Sequence, residues 1–214
     1  MACHPNNPNL TLYRDRCYRG LPLSPAQAPY IEQYLEGLYQ TIAYAQHDYA
    51  KVLAFRLDLH LPPGIIRSEG ELISRFLESF KAKVEHNRFL ARRQNPSANM
   101  TRVRWVWVKE NANACRSHFH LVILLNYSAF STLGYLELGR DNLFNKLIEA
   151  WSSALQVCRE DTLGLVHIPA NAVYCLERDL PSSCAAFFTR ASYLCKAATK
   201  QYGDGSHAFG CSRF

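Results

Sequence analysis

Between Lys51 and Leu61 the chain alternates, with Leu53, Phe55, Leu57, Leu59 and Leu61 at every second position and Arg56, Asp58 and His60 between them. Side chains of an extended strand point alternately to its two faces, so this period of two predicts a half-buried strand with an apolar side and a polar, functional side. Pro62-Pro63-Gly64 ends it. A fold that contains such a strand needs a second layer packed on its apolar face.

The run Cys115-Arg116-Ser117-His118-Phe119-His120-Leu121-Val122-Ile123-Leu124-Leu125-Asn126 predicts a second strand, from His118 to Asn126. There His118 and His120 project the same way while Phe119 enters the core, which is how a strand presents two metal ligands. Hydrogen-bonded core histidines are the plainer alternative. Arg102 to Lys109, with Val103, Trp105, Val106, Trp107 and Val108, reads as the preceding strand and Glu110 to Ser117 as the connection of an antiparallel pair. Glu110 and the two histidines then converge at one end of a hairpin. Trp105 and Trp107 read as core residues more than as platforms for stacking bases.

Helical spacing accounts for most of the rest. Ser24-Pro25 reads as an N-cap and first turn, leading into a helix from Gln27 to Tyr49 through Ile31, Leu35, Leu38, Ile42 and Ala45. Ser68 opens another, with Ile73, Phe76, Leu77, Phe80 and Val84 as its stripe, ending near Arg93. Asn142 to Leu155 is a third, and Ser183 to Lys200 a fourth with Phe187, Ala191, Leu194 and Ala198 inward. Tyr193 and Lys196, three apart, would share the polar side of that last helix with Thr189 and Lys200. Leu163–Ile168 and Ala172–Glu177 look like short strands around Pro169-Ala170-Asn171. The order of elements predicts an α+β fold, a mainly antiparallel sheet with helices packed on one face. At 214 residues the chain has room for one domain, expected over 51–214, preceded by an N-terminal extension with a helix over 1–50.

The net charge of +6 is concentrated in Lys81, Lys83, Arg88, Arg92 and Arg93, then Arg102 and Arg104, and again Arg190, Lys196 and Lys200. Such clustering suits a polyanion, although solvated helix faces look the same in a sequence. The longest apolar stretch, Leu121 to Leu125, is too short to cross a bilayer, and the N-terminus lacks a basic region followed by an apolar one. A soluble cytoplasmic protein is expected, its eight scattered cysteines reduced. No Gly-x-x-x-x-Gly-Lys phosphate loop occurs, so ATPase activity is not expected. A metal pair together with a tyrosine suggests phosphodiester chemistry.

Four segments carry a family resemblance: Phe55-Arg56-Leu57-Asp58-Leu59-His60-Leu61-Pro62; Trp107-Val108-Lys109-Glu110; His118-Phe119-His120 with the apolar run to Asn126; and Ser192-Tyr193-Leu194-Cys195-Lys196 with the ending Phe209-Gly210-Cys211-Ser212-Arg213. Together they resemble the HUH endonucleases, which start rolling-circle replication or plasmid transfer. Among these the chain is most similar to the inovirus and prophage replication-protein-like family, that of the YagK/YfjJ C-terminal domain. The resemblance implies an HUH-like fold and a divalent cation, Mg²⁺ or Mn²⁺, on His118 and His120, with Glu110 as third ligand unless it only caps a turn. It implies that Tyr193 attacks a phosphate, assisted by Lys196, to nick and rejoin a single-stranded or hairpin DNA origin. Arg56, His60, Lys81, Lys83, Arg88, Arg92, Arg93 and Lys200 are the candidate DNA contacts, and host helicase and polymerase the further partners. The next tyrosine, Tyr202, is nine residues on, which favours a single-tyrosine enzyme. A prophage DNA-binding regulator of the same fold without nicking activity is the first alternative, and a metal hydrolase of small phosphoesters the second.

Overall fold

The alternating segment forms the strand its pattern predicts, over Lys51–His60, and this strand lies inside a six-stranded sheet. In the computed structural model, which describes residues 2–64, 68–112, 116–198, 200 and 207–213, the chain runs through fifteen strands and α-helices. These are β1 (Ala2–His4), β2 (Asn7–Tyr13), β3 (Cys17–Tyr18), β4 (Leu21–Pro22), β5 (Tyr30–Ile31), α1 (Glu32–Asp48), β6 (Lys51–His60), α2 (Glu69–Gln94), β7 (Arg104–Ala112) and β8 (Arg116–Asn126). They continue with α3 (Leu143–Leu155), β9 (Val166–His167), β10 (Val173–Glu177), α4 (Pro181–Ala191) and β11 (Phe209–Cys211). The main sheet has the order β10-β6-β8-β7-β11, with β9 also on β6, and every pairing in it is antiparallel.

Both faces of this sheet are covered, which corrects the expectation of helices on one face. Leu53, Phe55, Leu57, Leu59, Phe119, Leu121, Ile123 and Leu125 pack against α2 and α3 through Phe76, Phe80, Leu147 and Trp151. Val52, Ala54, Val106, Val108, Val122 and Leu124 pack on the other side against α1 and α4, through Leu35, Leu38, Ile42, Phe187 and Phe188. The unbroken run Leu121 to Leu125 is what a strand buried on both faces requires. The charged residues of β6 hid this, because they occupy only the far part of a face whose near part, Val52 and Ala54, is apolar.

Helix starts follow their caps. Ser68 Oγ accepts from Glu71 N at 3.3 Å, and the Asn142 side chain accepts from Asn145 N at 2.9 Å, so α2 and α3 begin where expected. The first helix does not: Ser24-Pro25 opens only a 3-10 turn, Pro25–Gln27, and α1 starts at Glu32. Pro29 lacks an N–H and disfavours helical backbone at Ala28, which separates the two. The last helix is also shorter than its expected end at Lys200. α4 stops at Ala191, tightens into a 3-10 turn over Ser192–Cys195, and Lys196 then forms a bridge to Tyr30. Leu194, Cys195, Lys196 and Ala197 are all buried, a pattern that no helix with one inward face can satisfy. The hairpin strands β7 and β8 extend to Ala112 and from Arg116, so Glu110 lies within a strand and not in the connection.

Residues on both sides of position 50 share the core. Tyr34 of α1 stacks on Phe209 of β11 with ring centroids 4.2 Å apart, and Tyr30 and Ile31 are wholly buried. The β1-β2-β5 sheet and the β3-β4 hairpin precede α1. Seven cysteines are free thiols, and Cys115 lies outside the described residues. No helix among the described residues is long and apolar enough to cross a membrane.

Gly210 pairs with Trp107 across β11 and β7, and a Cβ there would stand 2.6 Å from Trp107 Nε1. The indole meets Phe119 edge-on with ring centroids 5.9 Å apart, a contact it would disturb by moving to make room. Gly210→Ala is expected to lower unfolding free energy in urea by about 1–3 kcal/mol. Combining it with Trp107→Leu should make the glycine replacement nearly neutral. A Gly210→Ala protein as stable as the parent would overturn this account of the edge strand.

Candidate metal centre

Directly opposed residues of an antiparallel sheet share a face, so the register of β6, β8 and β7 composes the site in rows. Arg56, Val122 and Val106 form one row, Asp58, His120 and Val108 the next, and His60, His118 and Glu110 the last. The face changes from apolar to ionisable within these three rows. Helices α1 and α4 cover the apolar part. The turn Ser192–Cys195 and the segment after it bring Tyr193, Lys196 and Lys200 to the ionisable part.

His118 Nε2 lies 3.0 Å from His120 Nε2, and His120 Nε2 lies 3.3 Å from Glu110 Oε2. One ligand atom from each of Glu110, His118 and His120 lies within 4.8 Å of the others. Two atoms bound about 2.1 Å from one ion and seen from it at a right angle stand about 3.0 Å apart, so the spacing suits a single small divalent cation. Two imidazoles and a carboxylate leave further positions open on such an ion.

The far side of His120 supports the same assignment. Its Nδ1 is 2.5 Å from Asp58 Oδ1, so Nδ1–H donates to the carboxylate and the Nε2 lone pair is turned towards Glu110 and His118. A ligating histidine held through its other nitrogen by a carboxylate is the usual way a protein fixes ring orientation and raises ligand basicity. Asp58 is itself held by Arg56 Nη2 at 3.3 Å and by His167 Nδ1 at 3.5 Å. His120 thus has a carboxylate on each side, Asp58 at Nδ1 and Glu110 at Nε2.

The electrostatics keep the donors ready. Burial, reinforced by the neighbouring His120, lowers the His118 pKa to about 4, so the ring is neutral at physiological pH. Burial also lowers that of His60. For Asp58, burial favours the neutral acid but is outweighed by the hydrogen bond and charge of His120 and by Arg56, and the pKa falls to about 2. Glu110 is likewise held well below the usual carboxylate range, burial being outweighed by His120 and Lys200. Burial lowers the Lys200 pKa against the pull of Glu110.

Tyr193 lies against this group. Its ring meets the His120 ring edge-on with centroids 5.5 Å apart, Lys196 Nζ is 3.6 Å from the ring centroid and Arg56 Cζ 4.7 Å. Of the residues singled out in the sequence, His118, His120, Glu110, Tyr193, Lys196, Lys200, Arg56 and His60 therefore come together. His60 stacks on His118 at 5.6 Å. Lys200 and Arg56, expected at a DNA surface, are buried among carboxylates. Lys196, expected on a polar helix face, is buried as well.

The α2 cations are elsewhere, because α2 packs on the opposite face of the sheet. Glu69 at its start pairs with Lys109 at 3.0 Å, while Arg92 and Arg93 lie about 35 Å along the helix at 1.5 Å per residue. Lys81 lies over the Trp105 ring at 5.7 Å, Lys83 pairs with Glu149 at 3.5 Å, and Arg88 donates to Ala129 O at 3.2 Å. Arg92 donates to Ala98 O at 3.3 Å, and Arg93 is exposed. Trp107 is buried as expected of a core residue, and Trp105 is partly so. Tyr202 lies outside the described residues.

Asp58 and His167 were not among the expected site residues. Asp58 carried a signal, since it stands between Arg56 and His60 on the polar face of the alternating strand. His167 had none, because only the pairing of β9 with β6 puts it opposite Asp58.

The chain belongs to the YagK/YfjJ C-terminal domain family, whose model matches residues 13–212. It is 32% identical over 196 residues to the uncharacterized protein YagK of Escherichia coli (strain K12), covering 86% of this chain and 94% of YagK. It is 29% identical over 198 residues to the uncharacterized protein YfjJ of the same strain, covering 86% of this chain and 95% of YfjJ. No solved structure matches the chain. The family expected from the motifs is thus its family, and every residue of the site falls within the matched span.

Replacing Asp58 by Asn removes the charge behind His120 while keeping its shape. Mn²⁺ affinity measured by calorimetry is expected to fall about 10–100-fold. Unchanged affinity would show that Asp58 does not orient a metal ligand.

Proposed function

We propose that the protein is a metal-dependent, tyrosine-linked DNA strand-nicking and joining enzyme that initiates rolling-circle-type replication of a phage or related mobile element. The observation that carries this reading is the approach of Tyr193 to His120, beside a carboxylate and two histidines spaced for one cation. Such a cation, when bound, would neutralise and orient a scissile phosphate. The surrounding residues favour an anionic ligand too: Arg56, Lys196 and Lys200 outnumber Asp58 and Glu110 by three charges to two before any ion is added.

In this reading Tyr193 Oη bonds to phosphorus in line as the bond to the 3′ oxygen breaks. The phenol proton passes to solvent and the departing 3′ oxygen takes one up, leaving a 5′-phosphotyrosine and a free 3′-hydroxyl. One phosphodiester is exchanged for another, so the reverse attack can rejoin the strand. Arg56 and Lys196, both against the Tyr193 ring, are placed to offset charge on the phenol and the phosphate. The HUH-like specification of the fold, Mg²⁺ or Mn²⁺ as the ion, a single-stranded or hairpin origin as substrate, and host helicase and polymerase as partners belong to the same proposal. So does a cytoplasmic location.

One observation favours a second reading. Both oxygens of Glu110 are engaged by lysines, a closed ionic network that can stand without metal, as it would in a DNA-binding regulator that does not nick.

Incubation with labelled single-stranded oligonucleotides from the protein's own genetic neighbourhood and Mn²⁺ or Mg²⁺ separates the two. A covalent protein–DNA adduct on a denaturing gel is expected. It should be lost in chelator, in His120→Ala and in Tyr193→Phe, the last binding DNA near normally. Salt-sensitive binding without any adduct would favour the regulator, and an adduct that persists in Tyr193→Phe would remove Tyr193 as nucleophile.

A further inference from the structure

Glu110 has two carboxylate oxygens, and each meets a different ammonium. Lys200 Nζ lies 2.5 Å from Oε1 and its side chain is wholly buried. Lys196 Nζ lies 3.2 Å from Oε2, with its side chain 9% exposed. His120 Nε2 approaches this same Oε2, at 3.3 Å. A cation seated between the two histidines therefore reaches Glu110 through the oxygen that Lys196 holds.

The two occupants repel one another. A divalent ion about 2.1 Å from Oε2 and an ammonium 3.2 Å from it would stand roughly 4–5 Å apart in a buried site, where repulsion is several times stronger than in water. Lys196 has somewhere to go. Its backbone is fixed by the bridge to Tyr30, but four flexible methylenes carry its ammonium, which already lies 3.6 Å from the centroid of the Tyr193 ring. Lys200 occupies the other oxygen, with its side chain wholly buried.

We infer that Lys196 and a divalent cation alternate on Glu110 Oε2, so that loading the centre releases the Lys196 ammonium towards Tyr193 and its anionic ligand. The inference rests on the metal centre proposed above and adds to it an order of events. Without the cation, Lys196 is sequestered by Glu110; with it, Lys196 becomes available beside the nucleophile. Lys196 acts directly on the nucleophile and its anionic ligand in this scheme, and Lys200 is the counterion that leaves Glu110 one oxygen for the metal.

Two measurements test this. Mn²⁺ titration of the full chain and of Lys196→Met is expected to show tighter binding by the variant, by at least about tenfold, the scale of one charge-assisted hydrogen bond. In the unaltered protein, labelling of Lys196 by an amine-reactive reagent, read by mass spectrometry, should rise on adding Mn²⁺, and should not rise in His120→Ala. If the parent binds Mn²⁺ and Lys196→Met binds it equally or more weakly, the alternation falls and the metal centre stands. If neither binds Mn²⁺, both fall together. Should Lys196→Met fail to fold, the labelling decides: Lys196 equally protected with Mn²⁺ bound overturns the inference.

Discussion

The in-register pairing of β8 with β6 on one side and β7 on the other is the constraint on which the rest depends. It sets His118 between His60 and Glu110, and His120 between Asp58 and Val108. A slip of one residue in either pairing would turn every side chain of that strand to the other face, moving the histidines into the α2 and α3 core. The register is held by burial: Phe119, Leu121, Ile123 and Leu125 are at most 1% exposed on one face, and Val122 and Leu124 are equally buried on the other. The apolar core thus fixes the geometry of the polar site within the same three strands, and no loop is needed to bring Glu110, His118 and His120 together.

The second half of the site arrives from a distant part of the chain by a different device. Tyr193 belongs to a 3-10 turn, a geometry with poorer hydrogen bonds that is used in short pieces. Its position is fixed from outside, by the bridge of Lys196 to Tyr30 and by Ala197 N donating to Pro29 O at 2.8 Å. Tyr30 is wholly buried and its hydroxyl donates to Ser24 O. Residues 24–31, which precede the sheet in sequence, therefore set where the tyrosine lies relative to the histidines.

Strands β6, β7 and β8 and the paired histidines were legible in the sequence because they rest on local periodicity, whereas β11 was not expected. The alternation of Lys51 to Leu61 and the triplet His118-Phe119-His120 each fix which side chains share a face. Ser68 and the amphipathic span from Asn142 to Leu155 announced their helices in the same local way. What failed depended on contacts between distant residues. Lys196 and Lys200 read as cations on a polar helix face because nothing nearby in the sequence shows the Glu110 carboxylate that takes them inside. Helices on both faces were hidden because one sheet face is apolar for part of its length and ionic for the remainder, so the average pattern of β6 resembles that of a strand open to water.

The ionic end of that face is not explained by stability. Burying a lysine such as Lys200 costs several kcal/mol per ion even after relaxation, and a buried pair commonly contributes no more than an apolar replacement of the same volume. Here five charged side chains, Arg56, Asp58, Glu110, Lys196 and Lys200, are all at most 8% exposed. An apolar continuation of the Val106, Val108 and Val122 surface would have closed the core at less cost. The arrangement instead keeps two carboxylates ionised and His118 neutral beside His120, with a tyrosine alongside. Local charge conflict of this kind, inside an otherwise consistent fold, is what a site under functional demand displays.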